Sequence, residues 1–162
     1  MTFYHSIECP LGTLILTTDG EALTGVYFEG QRHFVGIQPD WQKTENNPIL
    51  NAVSQQLDEY FSKQRAVFYV PLSAQGTEFQ QAVWRALQAV NFGERLSYSG
   101  LAEKVGRPNA VRAVAAAVGR NPISVVIPCH RIIGKNNSLT GYAGGLARKA
   151  ALLELEVAER QI

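Results

Sequence analysis

The sequence has few cysteines and no long apolar run. Its 162 residues include two cysteines, Cys9 and Cys129, which lie far apart in the chain. A secreted disulfide framework normally uses more cysteines, so two reduced thiols inside the cytoplasm are expected. No stretch approaches the roughly 20 consecutive apolar residues of a membrane span, and residues 1–5 lack a signal-peptide pattern. These absences predict a soluble, cytoplasmic protein with no membrane partner.

Net charge is also small, at +1, but it is unevenly distributed along the chain. Residues 1–76 hold four basic and eight acidic side chains, a net charge of −4. Residues 77–162 hold eleven basic and six acidic side chains, a net charge of +5. A basic half attached to an acidic half is typical of a C-terminal part that binds a polyanion.

The N-terminal half is predicted to be a small strand-rich α/β domain. Three segments are rich in β-branched and aromatic residues and are separated by turn sequences, namely 2–8, 13–17 and 23–28. They predict an antiparallel meander. Residues 30–47 show no clear period and are expected to form a loop. Apolar residues at helical spacing predict a helix over 48–63, and one more strand is expected at 67–71.

A change of character around residues 73–76 predicts a domain boundary between Gly76 and Thr77. Thr77 and Gln80 fit a capping box that opens a helix ending at about Val90. Four further elements are expected: a helix at 99–105, a helix at 110–118 capped by Asn109 and ended by Gly119, a strand at 123–127, and a helix from 146 to about 158. Two short helices joined by a tight Gly/Pro turn predict a helix-turn-helix. The chain is thus divided into domains 1–76 and 77–162.

Cys129 follows the predicted strand, within the Pro-Cys-His-Arg stretch at 128–131. A thiol becomes a strong nucleophile only as the thiolate, and an adjacent imidazole or positive charge favours that form. His130 and Arg131 supply both. A buried structural cysteine is the commoner fate of a free thiol. The basic domain and the helix-turn-helix before Cys129 nevertheless favour a reactive role.

Residues 121–133, NPISVVIPCHRII, resemble the active-site sequence of the O6-alkylguanine-DNA alkyltransferases, also called methylated-DNA–protein-cysteine methyltransferases. The resemblance extends from about Thr77 to Glu156, and the order of its blocks argues against a chance match. Those blocks are 93–98, 107–108, 112–114 and 141–145, the last of which resembles bacterial members in particular. The resemblance implies an α+β chain with a ribonuclease H-like N-terminal domain and a winged helix-turn-helix C-terminal domain.

The resemblance also implies direct-reversal DNA repair. An alkyl group would pass irreversibly from O6-alkylguanine, and from O4-alkylthymine, in duplex DNA to Cys129. One protein molecule would accept one group, and no cofactor would be needed. His130 would act as a base toward Cys129 through a water, and Glu156 would orient His130. Asn121 would tie the helix-turn-helix to the active-site segment.

Further residues are assigned to the DNA and the flipped base by the same resemblance. Tyr98 would hydrogen-bond the extruded base, and Arg112 would fill the gap left in the base stack. Ala113 and other small residues would let their helix approach the minor groove of any sequence. A monomer is expected to bind the double strand. The remaining pocket residues implied are Ser124, Ile132, Ala143 and Lys149, with Ser124 in place of a family proline predicting tolerance of bulkier alkyl groups.

Two other functions stay open on the residues alone. A DNA-binding regulator would have no use for Cys129, which alkyltransferase-like binding proteins replace. A cysteine hydrolase could use Cys129 with His130, but it would leave Arg112, Tyr98 and the basic half unexplained. Three side chains, His5, Cys9 and His33, could be imagined as zinc ligands. A fourth ligand at convincing spacing is missing, so no metal site is predicted.

Overall fold

The N-terminal half contains a four-stranded sheet in the computed structural model, which describes residues 1–160. The strands β1 (Phe3–Cys9), β2 (Gly12–Thr18) and β3 (Leu23–Phe28) form an antiparallel meander, and β4 (Gln42–Lys43) pairs in parallel with β1. The strand order is β3-β2-β1-β4. The predicted meander is confirmed, with each strand within one residue of its expected bounds. The last two residues of the predicted second domain lie outside the described residues.

Tight turns set the register of the meander. Gly12 takes a φ of 121°, a left-handed conformation that glycine adopts without steric cost, where the chain enters β2. Before β3, the Asp19 carboxylate accepts hydrogen bonds from the backbone N–H groups of Glu21 and Ala22 at 2.8 and 2.9 Å. This is the local side-chain pairing that makes aspartate a turn residue. The loop predicted over 30–47 is confirmed except for the two residues of β4.

The helix α1 (Pro48–Phe61) packs against β1 and β2. Asn47 caps it by accepting from the N–H groups of Ile49 and Leu50, and Pro48 occupies the first turn, where no N–H is needed. Its buried face consists of Leu50, Val53, Leu57 and Tyr60. The predicted helix is confirmed, and it ends two residues before the expected Lys63.

The strand predicted at 67–71 is wrong. Side chains bind its backbone groups at Val67 and Tyr69, and β3 is reached at the end of the segment, where the carbonyl of Pro71 accepts from the N–H of Leu23 at 2.8 Å. The Gln56 amide donates to the carbonyl of Tyr69 and accepts from its N–H, at 3.1 and 2.9 Å, and Arg65 donates to the carbonyl of Val67 at 2.9 Å. One isolated bridge, between Leu72 and Leu23 of β3, is the only strand-like pairing recorded nearby among the described residues.

The C-terminal half is mainly helical. Its elements are α2 (Glu78–Gln88), β5 (Leu96–Ser97), α3 (Tyr98–Val105), α4 (Val111–Gly119), β6 (Ile132–Ile133) and α5 (Leu146–Arg160). The capping box at Thr77 and Gln80 is confirmed, with both reciprocal hydrogen bonds formed. The helices α2, α3 and α4 pack on one another, and α3 ends at Gly106, whose φ of 80° permits the sharp turn.

The N-terminal cap predicted for α4 is wrong. The helix begins one residue later than expected, so Ala110 occupies the capping position and Asn109 lies outside it. No side chain caps this end. At the other end, Gly119 is the last helical residue rather than the terminator, and Arg120 follows as the C-cap.

The strand predicted at 123–127 is also wrong, because this apolar segment folds into successive turns. The N–H of Val126 bonds the carbonyl of Ser124 at 2.8 Å, and the N–H of Ile127 bonds the carbonyl of Ile123 at 3.0 Å. Val125 takes a φ of 69°, which is unfavourable for a β-branched residue. A short buried apolar run has no periodicity that separates a strand from a turn.

The edge of β3 joins the two halves into one hydrophobic core. Val26 donates its N–H to the carbonyl of Pro122 at 2.9 Å and accepts from the N–H of Ser124 at 3.0 Å. Buried residues of the sheet, of α1 and of the C-terminal helices belong to a single cluster. This contact places the segment that leads to Cys129 against the N-terminal sheet. None of the described helices is both long and apolar enough to cross a membrane.

Trp84 of α2 connects this core to α4, and its substitution tests the packing of the helical half. The indole is 2% exposed and donates its N–H to the carbonyl of Ala117 at 2.8 Å. Trp84→Phe removes volume and leaves that buried carbonyl without its donor. We expect the free energy of unfolding in urea to fall by about 2 kcal/mol. Trp41→Phe, at a half-buried site, is the control and should cost less than about 1 kcal/mol. Equal losses of unfolding free energy in the two variants would contradict the proposed contribution of the Trp84 contact to stability.

Candidate active site

A single turn of 3₁₀-helix, Cys129–Arg131, carries the candidate nucleophile. It follows the turns at 123–127 directly, and the N–H of Cys129 bonds the carbonyl of Ile127 at 2.8 Å. Cys129 is 4% exposed and His130 is fully buried. The thiol therefore lies inside the protein, where its reactivity depends on its immediate neighbours.

Asn121 closes the segment that precedes Cys129. Its side-chain amide donates to the carbonyl of Ile127 at 2.9 Å, and its oxygen accepts from the N–H of Ile123 at 3.0 Å. The backbone N–H of Asn121 in turn bonds the carbonyl of Val118 in α4 at 3.2 Å. One buried residue thus links the end of α4 to the turns before the thiol.

Glu156 of α5 pairs with His130 and Arg131 in the interior. The His130 Nε2 lies 2.8 Å from Oε2 of Glu156, and Arg131 donates through Nε to Oε1 at 2.9 Å and through a terminal nitrogen to Oε2 at 3.0 Å. Burial alone would raise the pKa of Glu156, but hydrogen bonds and charges from His130 and Arg131 outweigh burial and lower it to about 2. Glu156 is therefore ionised.

His130 is held as a neutral imidazole of defined orientation. Burial lowers its pKa, and the positive charges of Arg131 and Lys149 act in the same direction, against the attraction of Glu156. An ionised carboxylate can only accept a hydrogen bond, so the neutral ring carries its proton on Nε2 and donates it to Glu156. Its other nitrogen, Nδ1, then has a free lone pair, and it has no hydrogen-bond partner among the described residues. The ring can accept a proton on that side.

Burial raises the pKa of the Cys129 thiol, and several groups counteract it. The Asn121 side chain, the charge of Lys149 and the backbone N–H groups of Cys129 and His130 all favour the thiolate. The net direction is upward, so the resting form is the thiol. Its reaction as a nucleophile requires a base nearby, and His130 is the adjacent candidate.

Lys149 and Tyr98 bind the loop that follows β6. The Lys149 ammonium is fully buried and donates to the carbonyls of Ile132, Thr140 (2.8 Å) and Gly141 (3.5 Å). The Tyr98 hydroxyl donates to the same Thr140 and Gly141 carbonyls, at 3.1 and 3.3 Å. Burial lowers the pKa of Lys149 to about 8, although the nearby Cys129 charge opposes the shift. These contacts hold the glycine-rich loop beside the thiol.

A cavity of about 710 Å³ opens beside this loop. Tyr98, Arg112 and Ala143 line it, together with Tyr142. This volume is within the range that encloses a small organic group. Cys129 is not itself a lining residue. Burial and, after it, a negative charge on Cys129 both raise the pKa of the Tyr142 hydroxyl.

The outer face of α4 borders the cavity. Arg112, near the start of the helix, and Ala113 and Ala116 are exposed. The opposite face, with Val114, Ala117 and Val118, is buried in the core. The exposed face thus combines one long cationic side chain with small residues that leave the helix backbone accessible.

The three other residues predicted for the pocket, Ala143, Ile132 and Ser124, differ in how far their side chains are exposed. Ala143 lines the cavity, and its carbonyl accepts from the N–H of Arg32 at 2.9 Å. Ile132 is fully buried, and its carbonyl is bound by Lys149. Ser124 is 1% exposed, and its hydroxyl lies 3.5 Å from the side-chain oxygen of Gln31.

Sequence reasoning missed two residues of the Glu156 cluster. Tyr60 donates its hydroxyl to Oε2 of Glu156 at 2.7 Å, although its position on the apolar face of α1 indicated only a core residue. Arg131 seemed suited to activating the thiol but pairs with Glu156 and the carbonyl of Val90. Neither contact has a sequence signal, since both join distant parts of the chain. Among the described residues, no three His, Cys, Asp or Glu side chains lie close enough to hold a metal ion.

Comparison with known families and proteins agrees over both halves of the chain. Residues 78–158 match the model of the 6-O-methylguanine DNA methyltransferase DNA-binding domain, and residues 2–74 match that of its ribonuclease-like domain. The methylated-DNA–protein-cysteine methyltransferase of Haemophilus influenzae is 44% identical over 95% of this chain and 86% of its own length. The constitutive methylated-DNA–protein-cysteine methyltransferase of Bacillus subtilis is 45% identical over 96% of each chain.

Solved structures agree with these matches. The Mycobacterium tuberculosis protein OGT in complex with DNA is 40% identical, with a TM-score of 0.89 over 97% of this chain and 94% of that one. A more distant O6-methylguanine-DNA methyltransferase from the archaeon Pyrococcus kodakaraensis, 18% identical with a TM-score of 0.55, shares the fold. The chain therefore belongs to the 6-O-methylguanine DNA methyltransferase family.

Proposed function

We propose that this protein repairs O6-alkylguanine in DNA by moving the alkyl group onto the sulfur of Cys129. The observation that carries the proposal is the buried Cys129 followed directly by His130, whose ring is hydrogen-bonded to the ionised Glu156, in a chain of this family. A thiol, an imidazole and a carboxylate in this order form the arrangement that activates a buried nucleophile. The thioether product is stable, so each molecule reacts once.

The reaction is a displacement at the alkyl carbon. His130 takes the thiol proton at Nδ1, through a water, while Glu156 holds the proton on Nε2. The Cys129 sulfur then donates an electron pair to the alkyl carbon, and the bond from that carbon to the base oxygen breaks with its electrons left on the base. The base takes up one proton, which balances the proton lost by the thiol. No oxidant or reductant is consumed.

Access to the base requires its extrusion from double-stranded DNA into the cavity. We assign Arg112 to the gap left in the base stack, because it is exposed on α4 at the border of that cavity. Ala113 and its small neighbours permit close approach to the minor groove of any sequence. A single copy of the chain carries all these groups, so we propose that it acts as a monomer.

The remaining residues are assigned to the base pocket. We assign Tyr98 to hydrogen-bond the leaving oxygen, with Lys149 fixing the loop carbonyls around it and Ala143 and Ile132 providing backbone groups. We assign Ser124 to the wall behind the alkyl group, where it admits larger groups than a proline would. O4-alkylthymine is a second proposed substrate. The boundary between the scaffold and the DNA-binding domain is placed between Gly76 and Thr77.

Cys129→Ser tests the identity of the acceptor. A serine hydroxyl is a far weaker nucleophile than a thiolate, so transfer from a duplex containing O6-methylguanine should be abolished. Intact mass spectrometry followed by peptide mapping measures the added methyl group. Cys9→Ser is the matched control and should react like the unsubstituted protein, because Cys9 lies on β1 and does not line the cavity. A methyl group found on the Cys9 peptide, or transfer by Cys129→Ser, would contradict the proposed mechanism.

Arg112→Ala tests base extrusion. Extrusion costs a few kcal/mol, which the arginine partly offsets, so its loss should slow repair of duplex DNA by about 10- to 100-fold. Reaction with the free base O6-methylguanine requires no extrusion and should change little. Arg85→Ala, which removes an equal charge from an exposed site on α2, is the control. Equal slowing of the duplex and free-base reactions by Arg112→Ala would refute this role.

A further inference from the structure

Glu156 receives a hydrogen bond from the N-terminal domain as well as from its neighbours in the C-terminal one. The Tyr60 hydroxyl donates to Oε2 at 2.7 Å, and His130 Nε2 bonds the same oxygen at 2.8 Å. The other carboxylate oxygen accepts from Arg131 at 2.9 Å and from the backbone N–H of Gly93 at 3.1 Å. Oε2 also accepts from a terminal nitrogen of Arg131 at 3.0 Å, so donors from both halves of the chain share this one oxygen atom.

The Tyr60 ring is held rigidly where it delivers this hydrogen bond. Tyr60 lies on the buried face of α1 and is fully buried, as is Glu156 to within 1%. Its ring packs edge-on against Phe61 and Phe92, with centroids 5.3 and 6.1 Å apart, and tilted against Phe68 at 5.5 Å. The side chain cannot swing away without disrupting these contacts, so the hydroxyl position is defined by packing.

Several titratable and charged groups surround Tyr60, Glu156 and His130. Burial, and then the negative charge of Glu156, hold the pKa of Tyr60 well above its ordinary value, so the hydroxyl stays protonated and remains a donor. Arg131 faces both Tyr60 and Glu156. Glu156, Arg131 and Lys149 all act on His130. Tyr142 also faces Tyr60, and Lys149 faces Cys129.

We propose that Tyr60 is a positioning residue for alkyl transfer: by sharing Oε2 of Glu156 with His130, it limits how strongly the carboxylate holds the imidazole and fixes the ring toward Cys129. The N-terminal domain thereby takes part in the reaction through one hydroxyl, and is more than a scaffold. This inference rests on the proposed alkyltransferase function.

Tyr60→Phe removes the hydroxyl and keeps the ring packing. Without this donor, Oε2 carries more negative charge toward His130, which favours the imidazolium. The rate of methyl transfer, measured in single turnover at saturating O6-methylguanine duplex, should fall about tenfold at neutral pH. Because His130 must be neutral to accept the thiol proton, the midpoint of the acid limb of the pH–rate profile should move to higher pH. Affinity for the duplex should not change.

Site-specific replacement of Tyr60 by 3,5-difluorotyrosine strengthens the hydrogen bond to Glu156 instead of removing it. This test does not depend on the stability of the phenylalanine variant. The fluorines strengthen donation to Glu156 while the hydroxyl is retained. The carboxylate then attracts the imidazolium proton less, so the acid-limb midpoint should move to lower pH. Tyr27→Phe is the control, because it removes a hydroxyl from another tyrosine of the N-terminal domain whose ring also stacks on a phenylalanine. It should leave rate and midpoint unchanged.

The outcomes are distinguishable. A Tyr60→Phe protein with unchanged rate and midpoint would overturn the inference, as would a slower protein whose midpoint stays where it was, since that result indicates structural damage alone. A shift of the midpoint in opposite directions for the two replacements supports it. Failure of the unsubstituted protein to accept any methyl group would instead refute the proposed function.

Discussion

A buried, ionised carboxylate determines how this molecule is assembled. An ion in the protein interior costs on the order of several kcal/mol unless its oxygen atoms are bound by donors. Glu156 obtains those donors from α1, from the loop after α2 and from the 3₁₀ turn at 129–131. None of these elements can shift without leaving part of the charge unpaired. The position of Cys129 follows, because it is bonded directly to His130.

Burial raises the pKa of the groups at both ends of this arrangement, but the net outcomes are opposite. At Glu156, the donors outweigh burial and keep the carboxylate charged. At Cys129, burial outweighs the Asn121 amide and the Lys149 charge, and the sulfur keeps its proton. Because the Glu156 carboxylate is charged and the Cys129 thiol is neutral, His130 is the group that can take the proton from the thiol. The cationic, small-residue face of α4 lies outside this interior, at the border of the cavity, so the surface that we propose for DNA binding is separate from the buried reactive groups.

Local patterns predicted the elements whose stabilising contacts are local. The strands of the meander, the cap of α1 and the capping box at Thr77 each depend on residues within a few positions of one another. The predicted strands at 67–71 and 123–127 failed because distant partners, the Gln56 side chain and the edge of β3, decide their conformation. Cys129 and His130 were indicated by their adjacent positions in the sequence, and Glu156 by resemblance to a family. Tyr60 was not found, because an apolar helical stripe gives no sign that one member points a hydroxyl at a residue 96 positions away.

The late position of Glu156 has a consequence for the newly made chain. During synthesis, Cys129 and His130 leave the ribosome before α5 does, and at that stage no carboxylate orients the imidazole. The thiol is then an ordinary cysteine beside a freely rotating histidine. Only when α5 docks, and Glu156 meets Tyr60 and Arg131, does the sulfur acquire its base. Under the proposed function, the folding step that completes the core is therefore also the step that completes the reactive arrangement.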